Sequence, residues 1–230
     1  MYWRCCSLLL HSFQPYSQVV KQTNLFLAAC IFAMGAHASI ITLDSSAAST
    51  SNNSGQATIN IEPNPAWAAA LPNSSWISNG LTGNPSQPGY VVYPNGTTVT
   101  FSESFYLTGP VTAATLTVLA DDTTSVILNG QTLTAATELP EGGYPTCSSQ
   151  PIGCLSTTAG TFGLAQLDPY LKTGENTIQF GVVQKALVSF GLDYAGSITT
   201  ASTVPEPTSL GLIGAGLVLI AIVSRRMGAH

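Results

Sequence analysis

Thr115-Leu116-Thr117-Val118-Leu119-Ala120-Asp121-Asp122-Thr123-Thr124-Ser125-Val126-Ile127-Leu128-Asn129-Gly130 decides how the middle of this chain is read. Residues 115–118 exchange polar and apolar side chains at every position and Leu119 extends the run, the period of a strand with one buried face. Residues 124–128 form a second β-prone run, and Asn129-Gly130 separates its end from Thr132-Leu133. Both turn residues tolerate positive φ, so a tight hairpin is predicted there. Working outward, β-prone runs bounded by turn residues occur at 57–61, 90–93, 97–107, 114–120, 161–164, 177–183 and 187–194. Val99-Thr100-Phe101-Ser102 alternates as clearly as 115–118, and no part of the body has a helical period. Short strands with regular turns predict an all-β sandwich, and a body of roughly 165 residues is long enough for a two-sheet core. Residues 39–56, rich in Ser, Ala, Thr and Asn, are expected to be a flexible lead-in to a domain spanning 57–200.

The two ends read as targeting signals. After Lys21 comes an apolar run at 25–34, then the small-x-small site Ala36-His37-Ala38, which predicts a signal peptide over 1–38 cleaved before Ser39. The run is too short for a comfortable membrane span of about 20 residues. Leu27-Ala28-Ala29-Cys30 offers a competing reading, a lipobox with Cys30 lipidated, but it would cut the apolar region below its usual length of about 7–15 residues. At the other end, residues 208–224 are uncharged and are followed at once by Arg225-Arg226. At about 1.5 Å per residue that run crosses most of a roughly 30 Å hydrocarbon core, a single C-terminal transmembrane helix with the arginines left in the cytoplasm.

Charge is sparse, at 7% of residues, and unevenly placed. Residues 39–207 hold Lys172 and Lys185 against all 11 acids, a net of −9. Phosphate backbones demand Lys and Arg, so nucleic-acid binding is excluded. All three histidines, His11, His37 and His230, lie outside the predicted domain. The domain therefore lacks the imidazole needed for Ser-His-Asp or Cys-His hydrolysis and for a typical zinc site. Neither a metal nor a cofactor is expected.

Asp121-Asp122 could bind Ca²⁺ or act as a glycosidase pair, but adjacent strand residues point to opposite faces, which favours a strand-end turn. Cys147 and Cys154, in a Gly/Pro/Ser-rich stretch of an exported protein, predict a disulfide worth roughly 2–3 kcal/mol. Tyr144, Trp67 and Trp76 are the candidate glycan contacts, since aromatic rings stack on sugars, although core packing is the commoner fate of such residues.

Three resemblances sharpen this. Val204-Pro205-Glu206-Pro207, an apolar helix and Arg225-Arg226 resemble the PEP-CTERM sorting signal, over 204–230. The resemblance implies a bacterial protein exported by signal peptidase, held transiently in the inner membrane, cut by an exosortase near Pro-Glu-Pro and passed to the cell surface or extracellular matrix. The two prolines keep that segment extended, as a protease substrate must be. Residues 119–130 resemble the "DD…V.lNG" strand pair of galactose-binding-like jelly rolls, and residues 167–178 resemble their "yLk.GeN.i" turn into a core strand. Together they imply a jelly-roll β-sandwich. The expected protein is a non-enzymatic envelope or matrix component that contacts extracellular polysaccharide or simply decorates the surface. A glycan-active enzyme using paired carboxylates and a lipoprotein anchored at Cys30 remain the alternatives.

Overall fold

The computed structural model describes residues 38–136, 152–185, 187–201 and Gly216. Among these described residues eleven strands run in chain order: β1 (Ser39–Asp44), β2 (Ser51–Asn52), β3 (Ile59–Asn60), β4 (Ile77–Ser78), β5 (Thr98–Leu107), β6 (Val111–Asp121), β7 (Thr123–Leu128), β8 (Gln131–Thr132), β9 (Gly160–Gly163), β10 (Gly174–Val183) and β11 (Gly191–Thr200). One helical turn, α1 (Leu164–Leu167), runs into a 3-10 turn at Asp168–Tyr170. The strands form two antiparallel sheets. One has the order β3-β4-β11-β6-β9 with β1 also paired to β11; the other has the order β2-β5-β10-β7-β8. The connections β4–β5, β5–β6, β6–β7, β9–β10 and β10–β11 each pass from one sheet to the other.

Alternation explains the packing. In β5, Val99, Phe101, Phe105 and Leu107 face inward; in β6, Leu116 and Val118 do the same from the opposite sheet. Phe180 of β10 stacks on Tyr194 of β11 across the interior, with centroids 4.3 Å apart. Each such buried aromatic removes on the order of 150–250 Å² from water. Gly196 of β11 is required by close approach, because a Cβ there would collide with the Thr115 carbonyl oxygen. Gly196→Ala is expected to cost about 1–3 kcal/mol in urea unfolding; an unchanged midpoint would show that the β6–β11 spacing adapts freely.

The predicted hairpin is present: β7 and β8 pair through Ile127–Thr132 and Leu128–Gln131, with φ of 50° at Asn129 and 84° at Gly130. The two jelly-roll-like patterns meet in space, since the Asn129 side-chain amide donates to Asn176 Oδ1 at 2.8 Å. Asn176 also knots the preceding turn, accepting from the Lys172 N–H and donating to the Lys172 and Gly174 carbonyls.

Several expectations need correction. The stretch 39–56 is not a flexible lead-in: it holds β1 and β2, with β1 paired along β11 from Ser39–Thr200 to Asp44–Ala195. Its polar composition hid Ile41 and Leu43, which pack on the core. Residues 90–93 form no strand, and the last strand begins at Gly191 rather than 187. The predicted signal peptide apart from Ala38, the transmembrane segment at 208–224 apart from Gly216, and residues 204–207, 225 and 226 lie outside the described residues. Among the described residues, no helix is long and apolar enough to cross a membrane.

The chain ends of the sandwich share one pole. Ser39 pairs with Thr200, Val111 also pairs with Thr200, and Leu107 pairs with Gly174. The opposite pole carries the loops 79–97 and 184–190 and the β6–β7 turn, tied together by Gly96 N–H to the Gln184 carbonyl and Phe190 N–H to the Thr82 carbonyl.

Candidate functional site

Loops fold back over the outer face of the six-stranded sheet near the loop pole. There Ile61, Trp67, Trp76, Leu119 and Cys154 form a second apolar cluster. The two indoles lie 4.3 Å apart, tilted by 33°. Trp76 Nε1–H donates to the Ala68 carbonyl, and Trp67 Nε1–H donates to Asp121 Oδ2 at 2.6 Å. Both rings are buried, which withdraws Trp67 and Trp76 as sugar platforms: their faces are taken by each other and by the sheet. Tyr144 lies outside the described residues.

Asp121 and Asp122 close the β6–β7 turn, joined by a cis peptide bond. Opposite faces were expected of them; instead their carboxyls hydrogen-bond each other. Asp122 Oδ2 accepts from the Lys185 N–H and Asp121 from Trp67. Burial, then the charge of Asp122, pushes Asp121 up to about 8, against a smaller lowering by the Trp67 N–H. At neutral pH Asp121 thus keeps its proton and can donate it to Asp122. The pair is buried and its oxygens serve the fold, so no groove-facing pair of carboxyls arises here. Among the described residues, no group of three His, Cys, Asp or Glu could hold a metal ion.

A second buried acid escaped the sequence reading. Glu103 occupies an inward position of β5, where alternation calls for an apolar residue. Tyr194 Oη donates to Glu103 Oε2 at 3.0 Å and lies 2.7 Å from Thr50 Oγ1. Burial pushes Glu103 up to about 7; the Tyr194 bond opposes this, the Asp44 charge adds to it, and the Asp44 backbone bond opposes it again. Burial first, then the Glu103 charge, raises Tyr194 well above the usual phenol range. Asp193 of β11 is fully buried and accepts from the Ser45 and Ser74 hydroxyls and the Leu71 N–H, pinning two loops to the sheet.

Between the β7–β8 edge and β9 lies a cleft of about 220 Å³. Val126, Leu133, Ile152 and Phe162 give it an apolar lining, and Thr132 and Thr134 are among its hydroxyl-bearing residues. Among the described residues its lining holds no titratable side chain, and its polar groups include the hydroxyls of Thr124, Ser125, Thr132 and Thr134. Cys154 is buried and disulfide-bonded, while its predicted partner Cys147 lies outside the described residues.

Comparison with known proteins divides along the same line between domain and tail. Residues 203–226 match the PEP-CTERM protein-sorting motif. No curated protein matches the chain. A family 35 carbohydrate binding module from Clostridium thermocellum aligns at 14% identity over 68% of this chain and 97% of its own, with a TM-score of 0.34. The CBM36-1 domain of a multidomain xylanase from the hindgut metagenome of Trinervitermes trinervoides aligns at 16% identity over 73% and 100%, with a TM-score of 0.30. These modules have a galactose-binding-like jelly-roll fold. The tailspike protein 4 enzymatically active domain of bacteriophage CBA120 aligns at 13% identity over 71% of this chain and 19% of its own, with a TM-score of 0.27.

Proposed function

We propose that this chain is an exported bacterial surface or extracellular-matrix protein, sorted by an exosortase, in which a non-enzymatic jelly-roll sandwich is the delivered cargo. The observation that carries the reading is the PEP-CTERM protein-sorting motif at 203–226, which begins within three residues of the last strand. The other boundary supports it: β1 begins at Ser39, the first residue after the predicted signal cleavage. Residues 1–38 act as the signal peptide, 208–224 as a temporary inner-membrane anchor, and Arg225-Arg226 as its cytoplasmic stop.

The sorting reading is tested by replacing Pro205, Glu206 and Pro207 together with alanine in the producing cell. The altered protein should accumulate in the membrane fraction with its tail attached, while the unaltered protein reaches the surface lacking residues beyond the motif. Finding residues 208–230 intact on the surface form, by mass spectrometry, would defeat the reading.

The surface partner is extracellular polysaccharide. The outer face of the five-stranded sheet supports this, since Thr100, Ser102 and Ser104 of β5 lie beside Gly181, Gln179 and Thr177 of β10. Uncharged hydroxyl and amide groups suit a neutral hydroxylated polymer. Polysaccharide from the producing strain should retain the protein on a column; if it does not, the sugar reading falls and the sorting reading stands.

A further inference from the structure

The large apolar side chains exposed among the described residues divide between the two poles of the sandwich, with none at the middle of either sheet. Val91, Val92, Leu187 and Val188 lie on the loops of one pole. Ile40, Tyr106, Leu164 and Tyr170 lie toward the other, where both chain ends sit. Ile40 pairs with Thr199 and Tyr106 with Glu175, each one residue from the end of its ladder. Leu164 follows β9 as it runs toward that pole, and the Tyr170 carbonyl is held there by the Asn129 side chain. Ile40 and Tyr106 are 66% and 64% exposed, the two most exposed of the eight.

Chain length says what faces this pole. Ala201 is still tied to the fold through the Pro110 carbonyl, so only residues 202–207 separate the fold from the apolar run at 208–224. Six extended residues reach about 20 Å, less than the roughly 33 Å length of a ten-residue strand. While the tail is in the bilayer, the terminal pole therefore stays within about 20 Å of its surface, nearer than the loop pole can be held. Local charge is small: Asp168, Glu175 and Glu206 of the tether stand against Lys172 and the amino group that cleavage before Ser39 would create, a net of −1. Tyrosine rings, apolar in body with a polar tip, are suited to the headgroup boundary. A short tether also supplies an effective concentration of about millimolar, so a contact too weak to act alone suffices.

We propose that the terminal pole, through Ile40, Tyr106, Leu164 and Tyr170, rests on the phospholipid surface that holds the C-terminal segment, so that the sandwich is docked rather than free until it is released. The inference rests on the anchor reading of residues 208–224, and the experiment separates the two. The processed chain beginning at Ser39, tail intact, is reconstituted into phosphatidylethanolamine–phosphatidylglycerol vesicles. A nitroxide is placed at Tyr106→Cys, and in separate samples at Ile40→Cys and at Leu187→Cys. Docking predicts a several-fold higher ratio of collisions with lipid-soluble oxygen over a water-soluble nickel chelate at positions 106 and 40 than at 187. Equal ratios at the two poles, in protein that resists alkaline carbonate extraction, overturn docking and leave the anchor standing. Release by carbonate removes the anchor, and the docking proposal with it. Agreement between positions 40 and 106 guards against a local misfolding at either one.

Discussion

Unfolded by urea at about pH 5 and again at about pH 8.5, the protein is expected to be more stable at the lower pH, by on the order of 3 kcal/mol. Glu103 and Asp121 are the cause. Both titrate in the folded chain above the ordinary carboxylate range, at about 7 and about 8. In the unfolded chain both return to roughly 4. Between those limits the folded state holds protons that the unfolded state has lost, so stability falls as pH rises. The contribution is complete below about pH 4 and gone once pH has passed through the folded values. The full shifts would give more than 3 kcal/mol, but solvent screening and relaxation around each carboxyl reduce what is realised. Glu103→Gln and Asp121→Asn together should flatten the profile, since each amide keeps an oxygen acceptor and cannot ionise in this range. Stability that is level or rising from about pH 5 to about pH 8.5 in the unaltered protein would overturn the assignment.

The direction is unusual for an acidic domain, and the sequence gives no hint of it. Glu103 sits in the alternating run 98–107, which reads correctly as a strand, and the same alternation puts its carboxyl inside. What makes that tolerable is Tyr194, 91 positions away, and the loop at Thr50, neither of which periodicity can associate with it. The long central strands were legible because one face of each is buried and the other wet. Legibility failed where that rule fails. Leu119, Ala120, Asp121 and Asp122 are all buried, because loops cover the outer face of the sheet as well. Strand β1 depends on β11, about 150 positions away, and could not be told from a polar leader by its own composition. The sorting tail was readable for the opposite reason: it works as a linear signal, so its residue order contains the whole message.

Asp193→Ala is expected to destabilise the protein by about 3–5 kcal/mol, the largest effect of any single polar substitution argued for this fold. Asp193 has no exposed surface, and three donors converge on its carboxylate: Ser45 Oγ at 2.8 Å, Ser74 Oγ at 2.5 Å and the Leu71 N–H at 2.8 Å. A hydrogen bond to a charged group contributes roughly 1.5–3 kcal/mol, and donors left unpaired in the interior add their own desolvation cost. The contributions do not add fully, because freed loops can turn outward to water. For a domain of this size the melting temperature should fall by roughly 6–20 °C. The loss should begin locally. Leu71 and Ser74 belong to the cover that holds Trp67 against Trp76, so amide exchange at Leu71 should rise and indole emission shift toward the red before the β5–β10 and β6–β11 ladders open. Asp193→Asn, which keeps one acceptor oxygen, should lose less than the alanine variant. A drop below about 1 kcal/mol in Asp193→Ala would mean that the loops are held mainly by the tryptophan cluster and that the buried carboxylate is dispensable.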